Sequence, residues 1–349
     1  MRRGLSLYLD VVRFIAALSV FFFHMGYGKF SGHAFFGAFE QFGTVAVLVF
    51  FVLSGFVIMF VRSTKEQCFR DYTVARCARL YSVALPALLL TAGLDLCGSF
   101  IRPDLYENPL SWFAFLQDLS FTNQLRFGTS QFGTLAPYWS LGFEVPYYAI
   151  FAFTVFLRGF WRLLIVSAFV VIMGNPVALM LPCWVIGCFC CIFIGKTSKI
   201  GNPIGWFMFL FPAVVFCVLV WKKYWMPIAH GINYNVDGLI ICYVMSLLFS
   251  MHLVGAHMVS GTLEKILHPI SRPIRWLAGG SFTLYLLHVP LSFFVRSLLP
   301  IDISAASSGI ILVCCVPAIV YFIAGFTERK KEFWKKLFYS LLSVHPETV

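Results

Sequence analysis

The chain has 349 residues, 60% of them hydrophobic and 18% aromatic, with a mean hydropathy of +0.85. Its 26 basic and 15 acidic side chains are too few to cover a soluble surface, where roughly a quarter of positions are charged. That excludes a soluble enzyme, a disordered chain and a fibre. The net charge of +11 sits in short clusters between apolar runs, which is not a nucleic-acid surface, and the class read from these facts is an all-α, polytopic integral membrane protein.

Taken in chain order, apolar runs long enough to cross a bilayer, roughly 20 residues each, fall at 5–23, 42–61, 80–96, 138–157, 163–173 extended at its ends, 178–194, 204–221, 236–254, 274–298 and 309–326. The fifth and sixth are separated by Gly174, Asn175, Pro176 and Val177, as in a tight hairpin or one broken element. Ten spans with both termini cytoplasmic put nineteen Lys and Arg on the inner side and six on the outer, with Arg13 inside the first span completing the 26, which is the positive-inside asymmetry. Arg2 and Arg3 also resemble the start of a secretory leader, but Asp10 and Arg13 interrupt the run and no small-residue cleavage site follows it. The aromatic patch at 110–121 and the basic stretch at 328–336 suit interfacial helices. Residues 1–327 read as one membrane-embedded domain and 328–349 as a short basic cytoplasmic tail. Most of the eleven Cys lie inside apolar runs, where Cys is a small hydrophobe; no metal-ligand spacing stands out.

Ionisable side chains within such runs are costly and so mark function. Arg13 and His24, eleven positions apart, share one face of the first helix about 16 Å apart along its axis. Asp10 lies on the same side, able to pair with Arg13. The fourth span opens with Trp139-Ser140-Leu141-Gly142-Phe143-Glu144. Entering from outside, it brings Glu144 near the depth of His24, so that a His24–Glu144 dyad is one expectation; a packing ion pair, or Arg126 as the partner, are others. The ninth span carries Ser281, Tyr285 and His288 on one face. Arg76 and Arg79, at the start of the third span, either hold a polyphosphate or anchor the helix at the inner face; Arg272 and Arg275 share that ambiguity. Ser54-Gly55 reads as close helix packing rather than as a nucleophile.

Four pieces of sequence together resemble acyltransferase family 3, a family of membrane-bound acyltransferases. They are the stretch from Leu9 through Arg13 to His24, with its basic residue, ten intervening positions and histidine; Phe50-Phe51-Val52-Leu53-Ser54-Gly55-Phe56; Trp139-Ser140-Leu141 with Glu144; and Ser281-Phe282-Thr283-Leu284-Tyr285-Leu286-Leu287-His288-Val289-Pro290. They stand in family order over nearly the whole chain. One departure is Ala75 before Arg76 and Ser82 where the family often has a proline.

The resemblance implies transfer of an acyl group, usually acetyl from acetyl-CoA, to a sugar hydroxyl of a lipopolysaccharide, exopolysaccharide or related glycan, in the bacterial cytoplasmic (inner) membrane and through about ten spans. The implied partners are an acyl-CoA donor substrate, a glycan or lipid-linked saccharide acceptor and membrane lipids, with no metal and no nucleic acid. On that footing Arg76 and Arg79, with Arg13, are expected to hold the donor phosphates. His24 is expected to act as general base oriented by Glu144, or as a transient acyl carrier. His288, Tyr285 or Ser140 would stabilise the oxyanion. A multi-span transporter or exporter of a lipid or sugar is the rival class.

Overall fold

In the computed structural model, residues 1–66, 68–128, 131–195, 202–222 and 236–341 are described. Lys196, Lys199, Lys223 and the last residues of the tail, all used in the charge count or tail assignment, lie outside them. Every regular element among the described residues is helical, as an apolar environment demands: a helix closes its backbone hydrogen bonds within itself.

The elements are α1 (Arg3–Met25), α2 (Ala34–Gly37), α3 (Glu40–Thr64), α4 (Phe69–Ile101), α5 (Trp112–Leu119), α6 (Leu141–Phe156), α7 (Gly159–Ile194), α8 (Asn202–Trp221), α9 (Val236–Met258), α10 (Ser260–Leu267), α11 (Ser271–Ala278), α12 (Ser281–Ser297), α13 (Ala305–Phe326) and α14 (Lys331–Leu341). Six helical stretches are long and apolar enough to cross a membrane: α1, α3 from Val45, α4, α7, α9 and the stretch from α13 into α14. The pair α11 and α12, bent by 51°, makes a seventh if counted as one span. Two of the expected runs are shorter than a crossing. The apolar part of α8 covers Pro203–Leu219, and α6 has 16 residues because the chain reaches Leu141 through a 3₁₀ turn, Ala136–Ser140, whose Pro137, Tyr138 and Ser140 are already buried.

The fifth and sixth runs form the 36-residue α7, broken at Gly174 (φ 75°, ψ 169°), a conformation open to glycine and strained for other residues. The chain folds back there. Phe169 and Trp184 would stand about 22 Å apart on a straight helix, yet their rings contact Phe153 and Phe151, two positions apart on α6.

At the centre α1 packs on α3 and α12, α3 on α7, and α12 on α4 and α13. The α3–α7 crossing is close because two glycines face opposite backbones. A Cβ on Gly55 would stand 2.0 Å from the Trp184 carbonyl oxygen, and one on Gly187 would stand 2.1 Å from that of Val52. With no hydrophobic gain between lipid-embedded helices, such contact supplies their attraction. On the flanks, α5 turns Trp112, Phe113 and Leu116 outward. The tail helix α14 lies along α4, where the Tyr339 hydroxyl donates to Asp71 (2.8 Å).

Replacing Gly55 by Val forces α3 and α7 apart. Overpacking of this kind costs about 1–3 kcal/mol, so G55V lowers the thermal midpoint of the detergent-solubilised protein in a fluorescence size-exclusion melt, whereas V57A, beside it on α3, has a smaller effect.

Candidate active site

Between α1, α3, α4, α6 and α12 lies a cavity of about 60 Å³ whose walls include Arg13, Ser54, Arg79, Ser140, Glu144 and Tyr285. Residues far apart in sequence thus share one enclosed volume, with Ser281 alongside and an apolar wall from Phe50, Phe51 and Leu141.

Most of the polar groups are held by partners, some across helices and some one turn away on the same helix. Ser54 Oγ donates to Glu144 Oε1 (2.7 Å) and accepts from Trp184 Nε1–H (3.1 Å). The Tyr148 hydroxyl, one helical turn beyond Glu144, donates to the same carboxylate. Tyr285 donates to Ser140 Oγ (2.9 Å). Arg13 pairs with Asp10 at 3.6 Å. Arg79 closes no ion pair within 4 Å among the described residues, although Glu144 and Glu328 act on it electrostatically. Glu328, just past α13, accepts from the Thr283 backbone N–H (3.0 Å) and hydroxyl (3.1 Å) within electrostatic reach of both Arg13 and Arg79.

The histidines sit farther along α1 and α12. His288 is fully buried. Its Nδ1 lies 2.9 Å from the Leu284 carbonyl, and its Nε2 lies 3.0 Å from His24 Nδ1. His24 Nδ1 is also 2.9 Å from the Val20 carbonyl. A carbonyl only accepts, so the tautomers that satisfy these contacts put a proton on both Nδ1 atoms, the single His24 Nδ1–H being shared between the Val20 carbonyl and the His288 Nε2 lone pair. The remaining nitrogen, His24 Nε2, is then an unprotonated base with no partner among the described residues. His24 is partly exposed where His288 is not.

This arrangement corrects two expectations. Glu144 does not pair with His24: its carboxylate is taken by Ser54 and Tyr148, and it lines the cavity that holds Arg13, the Ala136–Ser140 turn carrying the chain inward before α6 begins. His288 takes the partner role instead. Arg76 does not line the cavity. It is bound to Glu66 at 2.6 Å, with side chains only 10% and 8% exposed, and lies over the Tyr72 and Tyr148 rings.

Sequence reasoning missed Glu66, Tyr148, Trp184 and Glu328. Tyr148 was open to discovery, being four positions after Glu144 on one helix face. Glu66 and Glu328 gave a weaker signal, as the acidic residues that bracket the spans carrying Arg79 and His288.

The family model described as an acyltransferase domain, Acyl_transf_3, matches residues 6–327. The chain belongs to acyltransferase family 3. It is a multi-pass membrane acyltransferase, and the four motifs that resemble the family are those that wall the cavity or supply the histidine pair. No curated protein and no solved structure matches the chain.

The two arginines of α4 separate by experiment. Removing Arg76 leaves the buried Glu66 carboxylate unpaired, which costs about 3–5 kcal/mol. R76A therefore loses most of its folded yield on size exclusion and R76A/E66Q recovers part of it, while R79A elutes like the wild type.

Proposed function

We propose that this acyltransferase moves an acetyl group from cytoplasmic acetyl-CoA to a hydroxyl of a cell-envelope or extracellular glycan. It would do so across a bacterial inner membrane, with both termini cytoplasmic. The observation that carries the reading is the His24–His288 hydrogen bond, which leaves His24 Nε2 bare on the same helix as Arg13. The spacing on that helix suits a coenzyme A thioester: a phosphate held at one end and a reactive carbonyl at the other, joined by an extended pantetheine arm.

In this mechanism Arg79 and Arg13 hold donor phosphates as charge-assisted partners, displacing Glu328 as their counter-charge. The arm runs past Tyr285 toward the histidines. His24 Nε2 takes the proton of the acceptor hydroxyl as its oxygen attacks the thioester carbonyl. The tetrahedral oxyanion gains a donor in the Tyr285 hydroxyl. Collapse forms the ester and expels the CoA thiolate, which takes the proton back from His24. His288 keeps Nδ1 of His24 protonated and therefore Nε2 basic. Glu144 acts through Ser54 and Tyr148, holding α3 and α6 together at the wall of the cavity.

Purified protein given isotope-labelled acetyl-CoA and envelope glycans transfers label to a sugar. H24A folds but loses transfer by about 10²–10⁴-fold, the usual contribution of a general base. H288A lowers kcat and alters its pH profile. R79A raises the acetyl-CoA KM tenfold or more and leaves the acceptor KM unchanged. Near-normal transfer by well-folded H24A would overturn the mechanism.

A further inference from the structure

A second cavity lies on the other side of the Ala136–Ser140 turn. It measures about 220 Å³, and Asp118, Asn123, Gln124, Gln131, Tyr138 and Trp139 contribute to its walls.

Its carboxyl and amide oxygens are buried with hydrogen-bonding capacity to spare. Asp118 is 1% exposed and Asn123 is 4% exposed. The Asp118 carboxyl draws only on the Phe132 N–H and the Asn123 side chain, and neither of its oxygens, nor Asn123 Oδ1, closes a hydrogen bond of good geometry among the described residues. Burial pushes the Asp118 carboxyl up to about 7, the Phe132 N–H and the Asn123 side chain offsetting only part of that effect. Leaving such acceptors unmet is costly, and a protein core that gained nothing from them would fill the space with apolar side chains. Hydroxyl donors are the missing complement. An anion would meet acceptors rather than donors there, and an apolar ligand would leave those acceptors desolvated. The Trp139 indole adds an apolar face for the C–H side of a ring.

The local sequence builds this pocket against the reaction chamber. The Tyr138 hydroxyl donates to the Asp118 carbonyl (2.8 Å) and its ring stacks on Phe121, fixing α5 to the turn. Gly142 lies directly under the Asn123–Gln124 segment, where a Cβ would stand 2.2 Å from Asn123 Oδ1. Trp139 faces this cavity while the next residue, Ser140, faces the one that holds Arg13, Arg79 and Glu144.

We infer that the cavity walled by Asp118, Asn123 and Trp139 is the acceptor subsite, taking a neutral, hydroxyl-rich sugar ring through hydrogen bonds to the carboxylate and amide and stacking on the indole. This rests on the acyl-transfer reading given above, and binding is separable from turnover. The full-length protein in nanodiscs is applied to an array of bacterial envelope oligosaccharides, with acetyl-CoA binding measured on the same samples. Wild type and H24A capture the same saccharides. D118A and W139A bind them at least tenfold more weakly, with an unchanged acetyl-CoA Kd, and W139F stays within about threefold of wild type. Equal capture by D118A and W139A would overturn the subsite, as would wild-type transfer to a glycan that competes at neither residue. Capture without any label transfer would sink the transferase reading and leave the subsite standing.

Discussion

A charge placed in hydrocarbon has no water to solvate it, so each one retained there needs a partner or a wet cavity. In this protein that constraint organises the centre of the bundle. Arg13 from α1, Arg79 from α4, Glu144 from α6 and Glu328 from beyond α13 converge on one column, with α4 packed both on α12 and on α6. The neighbouring Arg76–Glu66 pair obeys the same rule with a different outcome, since a buried guanidinium bound to its own carboxylate is no longer offered to a ligand.

The second organising contact is the one between the two imidazoles. It joins α1 to α12, supported by the edge-on packing of Phe21 against His288. It also depends on the register of α12, which begins after the 51° bend at the Gly279–Gly280 junction. No side chain of α12's own sequence caps that helix start. Glu328 supplies the acceptor from another segment, taking the N–H of Thr283 in the first turn, where a negative charge is favoured by the helix dipole. One carboxylate thereby sets the register that brings His288 to His24 and balances the arginines below.

Much of this was legible in the sequence because it is periodic or local. The apolar runs follow from length and composition, the shared face of Arg13 and His24 from the helical repeat, and the fold-back at residues 174–177 from a glycine and a proline between two runs. What was not legible is pairing across helices and depth. Glu144 was assigned to the level of His24 on the assumption that a span starts at the membrane surface. The Ala136–Ser140 turn instead carries the chain inward first, and nothing in a hydropathy pattern reports that. Arg76 and Arg79 look alike on spacing; which faces the cavity depends on Glu66, outside the helix altogether. Asp118 was hidden for a similar reason, as one acid within an aromatic patch whose outward residues suggested only an interfacial helix.

Glu328 and Arg13 lie at opposite ends of the described sequence, and this has a consequence for biogenesis. At about 5–20 residues per second, tens of seconds of synthesis separate the insertion of α1 from the emergence of its distant counter-charge. Through that interval Arg13 sits among apolar side chains with Asp10, one turn away, as the partner already at hand. The nascent chain thus carries its own temporary chaperone for the first buried cation, and the cavity gains its full set of charges only once the last segment has docked.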